Sequence, residues 1–167
     1  MKNKFIIAVG SNINSPEGFH PIENCNKAIN ELSKFNIRII QKSSWYLSEP
    51  IPKSYQPKYY NSVFLCNSNH DVNKVLKIIQ IVEQKFGRVR IFKNMPRCID
   101  LDIISYNGNV KNSLLLKIPH PRMHLRKFVL LPLFEIDSHW LHPLLKKNIQ
   151  FFLEKVKCQK IKKLKID

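Results

Sequence analysis

Acidic residues and glycine are both scarce in this chain: 12 Asp and Glu stand against 28 Lys and Arg, and there are 4 glycines in 167 residues. No apolar run approaches the ~18–20 residues that a bilayer-spanning helix needs; Phe5-Ile6-Ile7-Ala8-Val9 is typical. Lys2 and Lys4 ahead of that run imitate a secretory signal. Gly10-Ser11-Asn12 ends the run and no small-residue cleavage site follows, so it reads as a buried strand and the protein as cytoplasmic. Cys25, Cys66, Cys98 and Cys158 are scattered, with no C-x-x-C pair and no zinc-like grouping with histidine, which predicts reduced thiols. A phosphate loop of the G-x-x-x-x-G-K-[ST] type is absent, as are protein-kinase signatures.

What is present suffices for a core. The apolar fraction of 44% is ordinary for a globular protein, and the length favours a single domain over residues 1–167. The net charge of +16 has two readings: a polyanionic partner, or drift towards Lys, Asn and Ile in an A/T-rich genome. The arginines do not follow that drift. Five of the six (Arg88, Arg90, Arg97, Arg122, Arg126) fall in one window, and arginine is the better bidentate phosphate ligand.

The hydrophobic pattern predicts strands over residues 4–9, 37–46, 59–65 and 99–106. A helix is expected from Ser15 as cap and Pro16 at the first position to about Phe35, and another from Asp71 as cap to Gly87. Residues 47–58, with Pro50, Pro52 and Pro57, form a loop, and residues 87–97 a basic loop. Asn107-Gly108 is a tight turn, residues 114–118 a short strand, and residues 126–134 and 148–157 helices, the first interrupted by Pro132. The lysine-rich tail from Lys155 onward is expected to fray. The order is that of an α/β (α+β) fold, a ferredoxin-like βαββαβ core with additional C-terminal strands and helices.

Asp100-Leu101-Asp102 is the sharpest local feature. Strand alternation points Asp100 and Asp102 the same way, ~7 Å apart, while Ile99, Leu101 and Ile103 face the core. Two carboxylates amid apolar neighbours suit Mg²⁺ shared with phosphates; the alternative is a solvent-facing strand edge. Gly87-Arg88-Val89-Arg90 and Pro96-Arg97 beside them fit a triphosphate clamp, or else surface charges that balance one another. A Gly-Ser with a D-x-D also occurs in nucleotidyltransferases, but there the two lie about a helix apart; here Gly10-Ser11 and Asp100 are most of the domain apart. In Pro119-His120-Pro121-Arg122-Met123-His124, His120 either donates to phosphate or is structural. Asn61 and Phe128, on the residues alone, read as ordinary packing.

Together these segments resemble the 6-hydroxymethyl-7,8-dihydropterin pyrophosphokinase family of folate biosynthesis. The likeness runs from the first strand to about Ile136 and rests on Gly10-Ser11-Asn12, Gln56-Pro57 with Tyr59 and Asn61, Gly87-Arg88-Val89-Arg90, residues 96–103, residues 119–124, and Phe128 with Pro132-Leu133-Phe134-Glu135-Ile136. The resemblance implies an ATP-dependent diphosphokinase in which the pterin hydroxyl attacks the β-phosphorus and AMP leaves. It implies Asp100 and Asp102 as ligands of two Mg²⁺ ions, with Arg88 and Arg97 completing the catalytic set. ATP contacts would come from Gln80, Glu83, Arg88, Arg97, His120 and Arg126. The pterin would be held by Gly10, Ser48, Ile51, Tyr59, Asn61 and Phe128, with Tyr59 and Phe128 sandwiching its ring. The implied partners are ATP and the pterin alcohol, with no membrane, no specific nucleic acid and a monomeric state. Transfer of this kind needs positioning and charge neutralisation rather than a covalent nucleophile.

The chain departs from the family pattern at Asn94-Met95, where Trp-Gly is usual, at Cys98 for threonine, and at Lys127 for a small residue. Activity is expected to survive with altered loop closure. The competing class is an RNA-binding module, which the fold pattern and charge permit. The aromatic sheet motif of the common RNA-recognition fold is missing.

Overall fold

The computed structural model describes residues 2–89 and 94–165. Strand β1 (Asn3–Ser11) is the long apolar run of the amino terminus, buried on both faces. It lies between two antiparallel neighbours, β4 (Tyr59–Ser68) and β5 (Asp100–Tyr106). Strands β2 (Arg38–Lys42) and β3 (Tyr46–Ser48) both pair antiparallel with β4, and β8 (Ile161–Lys163) pairs with β3. Among the described residues this makes a sheet in the order β5-β1-β4-β3-β8, with β2 also on β4. With α1 (Pro21–Glu31) and α2 (Val72–Lys85) it forms the expected ferredoxin-like core.

Several elements differ from the sequence expectation. Strand 37–46 is broken at Ser43: its N–H still donates to the Val63 carbonyl at 2.9 Å, but its hydroxyl accepts the Val63 N–H at 3.0 Å and bonds the Ser62 hydroxyl at 3.0 Å, so half of the ladder pair goes to the side chain. Helix α1 starts at Pro21 instead of Pro16. The Ser15 carbonyl and hydroxyl take up the N–H groups of Gly18 and Phe19, and Gly18 has a φ of 85°, so residues 15–19 close a turn that cannot run into a helix. His20 caps α1 by accepting the Ile22 N–H. Asp71 caps α2 as expected, accepting from Asn73 and Lys74. Asn107 and Gly108 form the tight turn with φ of 53° and 66°. The strand that follows, β6 (Lys111–Asn112), pairs with β7 (Lys117–Ile118) and not with β5. Helix α3 (Lys127–Ile136) passes through the buried Pro132 without ending there. Helix α4 (Ile149–Lys155) is capped by Asn148. The tail does not fray as expected: β8 adds to the β3 edge, and the Leu164 N–H donates to the Trp45 carbonyl at 2.8 Å.

Strand alternation divides the core. Phe5, Ile7, Val9, Phe64, Leu101 and Ile103 face α1 and α2; Ile6, Val63 and Ile104 face α3 and α4 with Val129, Leu130, Leu133 and Phe152. All four cysteines are free, three of them buried. No helix among the described residues is long and apolar enough to cross a membrane.

Candidate active-site cleft

The register across the three central strands puts Asn61, Gly10 and Asp100 in one row, since Gly10 opposes both. Ala8 likewise stands between Val63 and Asp102. Opposed residues of antiparallel strands share a face, so this row points to the α3 side. Gly10 and Ala8 bring almost no side-chain bulk there, and α3 begins only at Lys127. The uncovered end of that sheet face is a cleft of about 730 Å³. Its lining includes Gly10, Ser48, Ile51, Tyr59, Asn61, Arg88, Arg97, Asp100, Asp102, His120, Arg126 and Phe128, which is every predicted site residue except Gln80 and Glu83.

Asp100 is held by both arginines. Arg97 Nη2 lies 2.7 Å from its Oδ2, and Arg88 Nη1 bonds its Oδ1 and also Glu83 Oε1. Arg97 Nε is buried and has no hydrogen-bond partner among the described residues. A buried guanidinium nitrogen left unpaired is costly, and an anionic ligand is what would satisfy it. Among the described residues Asp102 pairs with His120 Nε2, at 3.8 Å, and 37% of its side-chain surface is open to the cleft. Burial, then the Asp100 charge, push Asp102 up to about 7, against the pull of Arg126. Burial, then the charges of Arg126 and Arg122, hold His120 down at about 4. His120 Nδ1 accepts the Arg122 N–H at 3.2 Å, so the neutral ring carries its proton on Nε2, where it can donate to an anion.

The two carboxylates fit a divalent cation. They share one face and one cleft, and no lysine or arginine among the described residues forms an ion pair with the second. Mg²⁺ asks for one or two carboxylates and takes its remaining ligands from phosphate and water. No group of three or more His, Cys, Asp and Glu that could hold a metal occurs among the described residues.

On the other wall, Asn61 Nδ2 donates to Ser48 Oγ and to the Tyr59 carbonyl, each at 3.0 Å. The Tyr59 ring carries the Arg97 guanidinium 5.2 Å from its centroid, and Phe128 carries that of Arg126 at 5.5 Å.

Glu83 is buried on the inner face of α2 rather than presented to the cleft. It accepts the Leu101 N–H at 2.7 Å and pairs with Arg88, so it orients the arginine. Helical spacing from Val75, Ile79 and Val82 puts position 83 on the core side and Gln80, which is exposed, on the other. Arg90 lies outside the described residues.

Two residues matter more than the sequence reading allowed. Asn12 exchanges backbone and side-chain bonds with Arg97, and its Nδ2 reaches Gln56 Oε1 and the Pro57 carbonyl. Gln56 in turn donates to the Asn94 carbonyl at 2.6 Å, tying residues 49–58 to the departure at Asn94-Met95. Both stand in quoted motifs, but side-chain bonds between loops leave no periodic trace.

Residues 6–138 match a family model described as 7,8-dihydro-6-hydroxymethylpterin-pyrophosphokinase. The 2-amino-4-hydroxy-6-hydroxymethyldihydropteridine pyrophosphokinase of Haemophilus influenzae is 40% identical over 152 residues, covering 90% of this chain and 89% of that protein. The folic acid synthesis protein fol1 of Pneumocystis carinii is 35% identical over 156 residues, but the chain spans only 20% of its length. The crystal structure of a Plasmodium falciparum HPPK-DHPS triple mutant superposes with a TM-score of 0.71 at 16% identity. It covers 93% of this chain and 44% of that one, and shows the likeness of fold.

Proposed function

Since the chain belongs to the 7,8-dihydro-6-hydroxymethylpterin-pyrophosphokinase family, we propose that it transfers pyrophosphate from ATP to 6-hydroxymethyl-7,8-dihydropterin in folate biosynthesis. The observation that carries this reading is the meeting of Asp100 and Asp102 with Arg88, Arg97 and Arg126 in one cleft that also holds Asn61, Tyr59 and Phe128. A polyanion fits the first half and a flat heteroaromatic ring the second.

In this reading the pterin hydroxyl oxygen bonds the β-phosphorus, the bond from that phosphorus to the α-phosphate oxygen breaks, and AMP leaves with one proton released. Arg88 and Arg97 contact the phosphates and neutralise charge that grows in the transition state; the bare Arg97 Nε supports this. His120 donates Nε2–H to a phosphate oxygen, and Arg126 adds a further cation. Asn61 reads the pterin edge beside Gly10, Ser48 and Ile51, while Tyr59 and Phe128 flank the ring. Asp100 and Asp102 would hold two Mg²⁺ ions, which would supply charge neutralisation for the phosphates. Glu83 serves through Arg88, and Gln80 stays outside this assignment.

We also take residues 1–167 as one domain, acting as a cytoplasmic monomer. Incubation with ATP, Mg²⁺ and the pterin alcohol should release AMP in proportion to pyrophosphorylated pterin. AMP no higher than in a pterin-free control would overturn the reading.

A further inference from the structure

Helix α3 carries Phe128 in its first turn and has Arg126 at its N-cap position, yet an arginine side chain has no acceptor with which to cap a helix. No local side chain takes the free N–H groups there. The cap comes from the far end of the sequence. Gln159 Oε1 accepts the Lys127 N–H at 2.8 Å, and Gln159 Nε2 donates to the Leu125 carbonyl at 2.8 Å. One side-chain amide thus grips the backbone on both sides of Arg126.

Gln159 is itself anchored. Its N–H bonds the Val156 carbonyl at 3.0 Å, in the turn that closes α4, and Val156 and Phe152 are buried against Val129, Leu130 and Met123. Lys127 Nζ adds a bond to the Lys157 carbonyl at 2.9 Å. The segment so fixed needs fixing: Arg126 is half-buried beside Arg122, and burial and that like charge both disfavour its charged form.

We infer that Gln159 is a positioning residue for substrate binding: its amide sets where Arg126 and Phe128 enter the cleft, so the segment after α4 belongs to the binding machinery. The inference rests on the pyrophosphokinase reading. The ligand chemistry it governs is a phosphate at Arg126 and an aromatic ring at Phe128.

The test is Gln159→Ala, with Gln159→Glu as a second variant that keeps the acceptor for Lys127 but loses the donor to Leu125. The alanine variant should raise KM for ATP and the pterin alcohol about tenfold with kcat little changed, as the loss of binding shared by ground and transition states does. Its Tm should move by only a few degrees, and the glutamate variant should fall between it and wild type. In a Phe128→Ala background, Gln159→Ala should add little to the pterin KM, because the two act as one unit. Unchanged KM in the folded variant, or additive effects in the double variant, overturns the inference. If the alanine variant does not fold, the glutamate variant carries the same comparison. A wild-type protein that releases no AMP sinks the pyrophosphokinase reading instead. Calorimetric ATP affinity then decides the role of Gln159: the inference stands if Gln159→Ala lowers it and falls if it does not.

Discussion

Asp100 and Asp102 differ by two positions and live in opposite electrostatic conditions. Asp100 is neutralised by two guanidinium groups, whereas Asp102 carries its charge beside Asp100 with a neutral histidine as its nearest partner. Burial, and then the Asp100 charge, push the Asp102 carboxyl above the ordinary carboxylate range in the folded protein. A carboxyl whose pKa rises on folding gives stability that is full below the unfolded value and lost as pH climbs through the folded one. At pH 8 the ionised Asp102 is a burden unless a cation sits on it. Asp102→Asn in chelator at pH 8 should stabilise the fold by about 1–2 kcal/mol, discounted for the part of the side chain open to solvent. The same variant should lose AMP formation. Equal or lower stability by urea denaturation at pH 8 would remove the argument that this carboxylate is kept at the fold's expense. The placing of both acids was legible because strand alternation allows only one arrangement of i and i+2. The difference between them was not, because it depends on Arg88 and Arg97 choosing Asp100, a contact between loop and strand that no spacing encodes.

Elements with strong periodic signals were read correctly, and those decided by tertiary pairing were not. β1, β4, α2 and β5 have continuous apolar or 3.6-period patterns, and their bounds fall close to expectation. The start of α1 was misplaced because Ser15-Pro16 and His20-Pro21 both look like helix starts, and only the left-handed Gly18 between them decides. β8 was missed because Ile161, Lys162 and Lys163 look like a solvated tail; they become a strand through the free edge of β3. That edge has a functional side, since Ser48 of β3 holds Asn61 and Glu135 of α3 collects Tyr46, Ser44 and Lys163. Deleting residues 160–167 removes β8 and the Lys163–Glu135 pair while leaving Gln159 in place. The truncated protein should bind the pterin alcohol several-fold more weakly, with ATP affinity nearly intact, because β3 lines the cleft beside Asn61, at the end proposed above for the pterin. Separate titrations with the two ligands check this, and an equal loss for both would assign β8 to global stability alone.

At the scale of the whole molecule, the site depends on the layer that α3 and α4 form over one face of the sheet. His142 sits in that layer among Trp140, Phe152 and His124, with ring centroids at 5.5 to 5.8 Å. Its Nδ1 accepts the N–H groups of Leu144 and Leu145, at 3.3 and 3.1 Å, so a proton at that atom would break both bonds. Burial, and secondarily His124, hold His142 down at about 4. For a base whose pKa falls on folding, the unfolded chain takes the proton first. Stability is full above about 6.5 and drains away as pH falls towards 4, by on the order of 2–3 kcal/mol for the whole shift. Acid also raises the charge of a chain already at +16, and that repulsion weakens any variant alike. His142→Asn separates the two effects, because the amide oxygen can take the place of Nδ1 as acceptor without titrating. Its absolute stability should fall through lost packing, but its stability should decline less steeply between pH 6.5 and 4.5 than that of the wild type. Parallel curves from denaturant titrations across that range would show that His142 is not the acid-sensitive group. Where the curves diverge, substrate affinity should fail over the same pH range as the fold, because the layer that loses His142 is the one that carries Arg126 and Phe128 into the cleft.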